Sequence, residues 1–257
     1  MASHCIMSLY VLTCMFFFFF CTTSSAAPYE KVKVDLYYET MCPGCADFMV
    51  NAVPIIFQTG LIHIVHLNLV PYGNAKLDYN GNITCQHGKD ECYLNTVEAC
   101  AIYTWPDVNT HYKFLQCIES WVIDSQDTPW EPCYEVTGLN PSPVIDCTHS
   151  QLGKELEVGY AKETNSLVPP HKFLPWVVVN GIPLKENYPE FMTFVCVAYK
   201  GPTPGACKNL LPAVVSEVKK LKFKQVCPVK DTAFSWLPLA SPGIMDTTGQ
   251  PLKPALT

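Results

Sequence analysis

From Lys31 to Tyr38 the chain alternates, with Val32, Val34, Leu36 and Tyr38 set against Lys31, Lys33, Asp35 and Tyr37. A period of two predicts a strand that turns one face to a core. Beyond "CPGC" at residues 42–45, the apolar positions Phe48, Met49, Ala52, Val53 and Ile56 recur at helical spacing as far as Gly60, with Pro54 expected to kink that helix. "LIHIVHLNLVPYG", residues 61–73, predicts a second strand ended by Pro71 and Gly73. A polar loop from Asn74 to Gly88 leads into helical periodicity from Lys89 to about Ser125, broken near Trp105-Pro106, and then from Ser142 to Thr164. Extended character returns at "LVPPHKFLPWVVVNGIPL": Trp176 to Val179 read as a strand, Asn180-Gly181 as a hairpin turn and Ile182 to Leu184 as the return strand. "YPEFMTFVCVAYKG" closes the pattern with a helix carrying Cys196.

The order strand, helix, strand, helical segment, strand, strand, helix is an α/β arrangement of thioredoxin-like type, split by a helical insertion over about residues 74–165. In a chain of 257 residues, 49% hydrophobic and 16% charged, this reads as one domain over residues 29–227. Residues 228–257 are Pro-rich and aperiodic, which predicts a flexible tail. The net charge of −6 speaks against a nucleic-acid partner.

Residues 1–26 read as a cleaved signal peptide, with an apolar run from about Ile6 to Cys21 and cleavage after Ala26, although no Lys or Arg precedes the run. A membrane anchor is the alternative, but the run falls short of the ~20 apolar residues that span a bilayer. No stable membrane insertion is expected. Three of the 14 cysteines leave with the signal, and the eleven that remain imply disulfides in a secretory compartment. Setting Cys42 and Cys45 aside leaves nine, so at least one has no structural partner within the chain and a covalent dimer is open. Cys92 and Cys100 lie about 12 Å apart on one predicted helix, too far to bond each other. The sequon Asn82-Ile83-Thr84 predicts a glycan at Asn82.

Cys42 and Cys45 stand where a strand runs into a helix. The first thiol of such a pair meets unpaired N–H groups and the positive end of the helix dipole, which lower its pKa; the second can attack a mixed disulfide from within the first turn. Cys42 is therefore the expected exposed nucleophile and Cys45 the resolving thiol. Two other readings stay open on spacing alone: an inert structural staple, and a zinc site of Cys42, Cys45, Cys85 and His87, whose "CQH" spacing fits common zinc motifs poorly. Leu174-Pro175, just before a core strand, is either a cis-proline loop that pairs with a substrate strand or a proline at the start of a strand.

The segment "CQHGKDECYLNTVEAC" matches a longer pattern at Cys85, Gln86, His87, Gly88, Glu91, Cys92, Asn95 and Cys100. It resembles the signature of the gamma-interferon-inducible lysosomal thiol reductase family, and the resemblance runs from about Val32 to Cys207. It implies a thioredoxin-like fold and the reduction of disulfides in protein substrates at acidic pH in a lysosome-type compartment; beyond the secretory route, a lysosomal or vacuolar address and an extracellular one are both open. It further implies Cys42 and Cys45 as the active dithiol and Pro175 as the cis-proline of the substrate loop. No bound cofactor is implied, and small thiols could regenerate the dithiol. Cys85, Cys92, Cys100, Cys117, Cys133, Cys147, Cys196 and Cys207 are read as disulfide-formers, and His87 as structural. Cys227 lies outside the resemblance. At pH 5 the Cys42 thiol must be shifted far below the model value of ~8.5, and His66 or His87 could help if either lies near. An oxidase or isomerase using the same dithiol, or a disulfide-rich binding module with an inert CxxC, are the rivals.

Overall fold

The computed structural model describes residues 29–124, 129–210 and 226–229. The signal peptide expected over residues 1–26 and the tail beyond Val229 lie outside the described residues. The strand β1 (Val32–Tyr38) is buried on both faces except at Lys33, because the apolar set and the Asp35/Tyr37 set are each covered by packed elements. The helical run after it has three pieces: α1 (Pro43–Asp47), a π turn at Phe48–Ala52, and α2 (Pro54–Gln58). The kink expected at Pro54 takes the form of that wide turn, in which the Val53 N–H donates to the Phe48 carbonyl at 3.1 Å. A π turn accommodates a residue that can neither donate nor tolerate the carbonyl one turn back.

The second strand is shorter than its apolar run. Leu61–His63 form a 3₁₀ turn after left-handed Gly60, and β2 spans Val65–Pro71. The early apolar residues Leu61 and Ile62 are buried as turn residues, a case in which apolarity reported burial rather than strand. A small hairpin follows, β3 (Lys76–Leu77) with β4 (Ile83–Thr84). The insertion contains α3 (Lys89–Thr104), α4 (Val108–Asp124), α5 (Cys133–Thr137), α6 (Ser142–Thr148) and α7 (Gln151–Asn165). The single helical region read over 142–164 is thus two helices. Ser150 breaks it by capping α7, its hydroxyl accepting the Leu152 N–H at 3.1 Å.

After the insertion come β5 (Phe173–Leu174), β6 (Trp176–Val179), β7 (Ile182–Pro183), α8 (Phe191–Ala198) and α9 (Gly205–Leu210). The last described element is β8 (Cys227–Pro228). The main sheet has the order β2-β1-β6-β7, with β1 parallel to β2 and antiparallel to β6. Asn180 and Gly181 both take positive φ, which makes the tight β6–β7 hairpin possible. Helix α8 packs on β1 and β6, while α3 and α7 lie against β2.

Disulfides fasten the periphery to this frame. Cys100–Cys147 joins α3 to α6, Cys117–Cys133 joins α4 to α5, and Cys196–Cys207 joins α8 to α9. Cys85–Cys92 staples the loop before α3 to its first turn. Cys92 and Cys100 thus each have a partner other than the other. Pro228 and Val229, the first residues of the predicted flexible tail, are held against β5: Val229 donates its N–H to the Lys172 carbonyl at 3.1 Å.

Candidate active site

The end of β1 delivers Glu39, Thr40 and Met41 to the start of α1. Met41 holds φ 63, a left-handed conformation unusual for a side chain of its size, and turns the chain so that Cys42 caps α1 with extended backbone. Pro43 occupies the first helical position, where its missing N–H costs nothing. Cys45 lies within the first turn.

The two sulfurs are not bonded to each other. Cys42 is joined to Cys227, and both sulfur-bearing residues are buried. Cys45 is the free thiol among the described cysteines and is fully buried. Burial first, then the Glu39 carboxylate, pushes the Cys45 thiol up, while the Glu39 backbone N–H donates to it and pulls the other way. This corrects the expectation of an exposed Cys42. It also gives the odd cysteine, Cys227, a partner inside the chain. The physical reason is the β5–β8 pairing, which sets Cys227 opposite Leu174 and so over the N-terminus of α1.

The Leu174-Pro175 bond is cis, as is Val168-Pro169. Pro175 therefore follows directly on the strand that Cys227 pairs with, and one cluster holds Cys42, Cys45, the Pro175 loop and Cys227. His66 is not part of it. It pairs in register with Lys33 at the opposite end of β1 and faces solvent.

Asn74 connects the pieces. Its backbone N–H donates to Glu39 Oε2 at 2.7 Å, and its Nδ2 donates to Gln86 Oε1 at 2.6 Å and to the Cys227 carbonyl at 3.1 Å. Its Oδ1 meets His171 Nε2 at 3.2 Å. The turn that presents Asn74 needs glycine at 73: φ is +60, and an added Cβ would collide with Glu39 and Leu174. Glu39 is wholly buried. Desolvation, then the nearby Glu91, raises its pKa to about 8, while Asn74 and His87 partly offset this.

The 85–100 segment has a geometric role that its spacing alone did not show. Glu91 accepts the backbone N–H groups of Gln86 (3.2 Å) and His87 (2.7 Å), and its carboxylate meets His87 Nδ1 at 2.5 Å. The His87 ring lies 3.8 Å from Glu39. Asn95 Oδ1 accepts from both the N–H (2.9 Å) and the hydroxyl (3.1 Å) of Thr40, two residues before Cys42. The motif on α3 therefore holds the β1–α1 turn in place. Removing the acceptor by Asn95→Leu should leave the Thr40 N–H unpaired in the core. It is expected to cost about 1–3 kcal/mol in denaturant unfolding.

Cys42 and Cys85, two donors of the zinc alternative, are each committed to a disulfide. Glu39, His87 and Cys227 bring ligand atoms within 4.8 Å of one another, but the Cys227 sulfur is in a disulfide, so this group offers no thiolate. Asn82 sits exposed on the β3–β4 turn, its Nδ2 donating to Asp78 at 2.9 Å.

The family model described as "Gamma interferon inducible lysosomal thiol reductase (GILT)" matches residues 33–137, which take in Cys42, Cys45 and the whole 85–100 motif. A "Gamma-interferon-responsive lysosomal thiol protein" of Arabidopsis thaliana is 39% identical over 230 residues, 87% of this chain and 96% of the relative. The chain belongs to the gamma-interferon-inducible lysosomal thiol reductase family. The mouse "Gamma-interferon-inducible lysosomal thiol reductase" is 35% identical over 191 residues, 71% of this chain and 74% of that protein. Among solved structures, the reduced form of the disulfide bond oxidoreductase DsbG from Mycobacterium tuberculosis superposes with a TM-score of 0.51 at 19% identity, over 75% of this chain and 88% of that one. BdbD from Bacillus subtilis gives 0.50 at 15% identity, over 66% and 88%. The fold is thioredoxin-like, and this thiol reductase family member is a thiol-disulfide oxidoreductase, a disulfide reductase by family.

Proposed function

We propose that this protein reduces disulfides in protein substrates in an acidic compartment of the secretory route, lysosomal or vacuolar, with Cys42 as nucleophile and Cys45 as resolving thiol. The observation that carries the reading is Cys42 itself: it caps α1 and is already engaged in a disulfide beside the cis-Pro175 loop, with the free Cys45 thiol in the next turn. In the reduced enzyme the Cys42 thiolate attacks a substrate disulfide, forming Cys42–S–S–substrate and expelling one substrate thiolate. Cys45 then attacks the Cys42 sulfur, closing Cys42–Cys45 and releasing the second substrate thiol. The substrate gains two electrons and two protons, and two equivalents of a small thiol restore the dithiol as they are oxidised to their own disulfide.

Acid operation fits the charge state of the surroundings. Glu39, raised to about 8, is neutral at pH 5 and sets no negative charge against a thiolate forming at Cys42 or Cys45. The first-turn N–H groups of α1 are left to stabilise that anion. Asn82 on its exposed turn is the proposed glycan acceptor. The test is alkylation: iodoacetamide added at pH 5 to the dithiol-reduced protein should modify Cys42 before any other thiol, as peptide mapping would read out. Labelling that spares Cys42, or that begins there only above pH 8, would overturn the assignment.

A further inference from the structure

The Cys227 segment sits as a substrate would. β8 runs antiparallel to β5, with Cys227 opposite Leu174 and Pro228 opposite Phe173. The Val229 N–H donates to the Lys172 carbonyl at 3.1 Å, and Asn74 Nδ2 donates to the Cys227 carbonyl at 3.1 Å. Cys227 points inward to its bond with Cys42, whereas Val226 and Pro228 on either side are exposed. An extended segment is thus gripped by its main chain on the strand leading into cis-Pro175, and its one buried side chain is the cysteine that is bonded to the nucleophile.

We propose that residues 226–229 are an internal substrate strand, and that Cys42–Cys227 is an intramolecular mixed disulfide held at the stage before Cys45 acts. This rests on the reading of Cys42 as the nucleophile. External substrates dock in the same place: an extended, locally unfolded stretch centred on a half-cystine and held through backbone hydrogen bonds to Lys172, Leu174 and Asn74. The outward direction of the flanking side chains makes this grip tolerant of sequence.

The release step balances without an outside oxidant or reductant. The Cys45 thiolate attacks the Cys42 sulfur, a Cys42–Cys45 bond forms, the Cys42–Cys227 bond breaks, and the electron pair leaves on Cys227, which takes up the proton Cys45 gave up. Two equivalents of a small thiol then reduce Cys42–Cys45 and are oxidised to their disulfide. Because Cys227 is tethered, it competes at the high effective concentration of an intramolecular ligand, so the enzyme is latent until the segment leaves β5.

The test uses full-length Cys45→Ser and Cys45→Ser/Cys227→Ser proteins purified without reductant. The probe is a peptide with the sequence of residues 223–231, FKQVCPVKD, its cysteine activated as a 2-thiopyridyl disulfide. The double variant should capture it on Cys42 at least tenfold faster than Cys45→Ser, in which Cys227 keeps Cys42 closed. It should also prefer that peptide at least fivefold over one N-methylated at the position of Val229, which lacks the donor to Lys172. Equal capture by the two variants, or equal capture of the two peptides, would overturn the proposal. Should the double variant not fold, Val229→Pro in the otherwise unaltered chain replaces it: dithiothreitol should open Cys42–Cys227 at least fivefold faster than in the parent, and an unchanged rate overturns the proposal. Retained reductase activity in Cys42→Ser would remove the functional reading and this one together. If Cys42→Ser is inactive while the capture experiments fail, only the internal substrate falls.

Discussion

Cys42→Ser is expected to lower the rate of protein-disulfide reduction at pH 5 by at least about 1,000-fold, the scale seen when a covalent nucleophile is deleted. A serine hydroxyl beside the same first-turn N–H groups stays protonated and cannot displace a thiolate from a disulfide. Cys45→Ser should fail differently. With Cys227 also replaced, so that Cys42 is free to attack, one turnover's worth of substrate thiol appears and the enzyme accumulates as a mixed disulfide with substrate, visible on a non-reducing gel. The pair of variants separates the two roles, since a merely structural CxxC would give neither the burst nor the adduct. Activity of Cys42→Ser within tenfold of the parent would move the nucleophile elsewhere. A control belongs with this variant: losing Cys42–Cys227 removes a cross-link spanning 185 residues, so thermal unfolding of Cys42→Ser should be compared with that of Cys227→Ser, which loses the same link but keeps the nucleophile.

The frame of the molecule was legible where the signal is local. Alternation in 31–38 gave β1, Asn180-Gly181 gave the β6–β7 turn, and CPGC between strand and helix gave the position of the α1 cap. Local pattern misread Leu61 and Ile62, because a buried 3₁₀ turn and a buried strand both read as apolar runs. What stayed hidden was contact across long stretches of chain. Asn95 reaches Thr40 over 55 residues and Cys227 reaches Cys42 over 185, and no periodicity encodes either. The 85–100 motif was recognisable as a pattern, yet its work in pinning residues 39–42 through Glu91 and Asn95 emerges only when α3 is seen against the end of β1. Cys227 lies outside the resemblance on which the other cysteines were read. Its two-residue strand borrows its order from β5 rather than from its own sequence.

The second large effect is on stability, which should be greatest in acid and fall as pH rises through neutrality. Among the described residues four carboxyl groups are shifted upward, each chiefly by burial: Glu39 to about 8 with Glu91 adding, Glu119 with Glu98 and Glu39 adding, Glu98 against the opposing hydrogen bond from Tyr38, and Glu157 against one from Thr96. Glu119 makes no hydrogen bond through either oxygen among the described residues, as suits a neutral acid in the core. For such a group the unfolded chain loses its proton near 4.5 while the native state keeps it to higher pH. Between those values the native state binds more protons, and stability falls with rising pH by up to about 1.4 kcal/mol per pH unit for each group. His111 and His171 act in the opposite sense: burial lowers both, so the unfolded chain takes up protons first and stability falls as pH drops below about 6.5. Above pH 6.5 the histidines are neutral in both states and the carboxyls act unopposed; below it the two sets offset each other. The midpoint of thermal unfolding of the oxidised protein, measured at constant ionic strength, should therefore peak between pH 4.5 and 6.5 and drop by several degrees from 6.5 to 8. A midpoint that is flat or rising over that upper interval would mean these carboxyls ionise freely in the native state. Glu119→Gln supplies the check on cause. It keeps the shape of the buried group, removes its proton from the balance, and should flatten the decline.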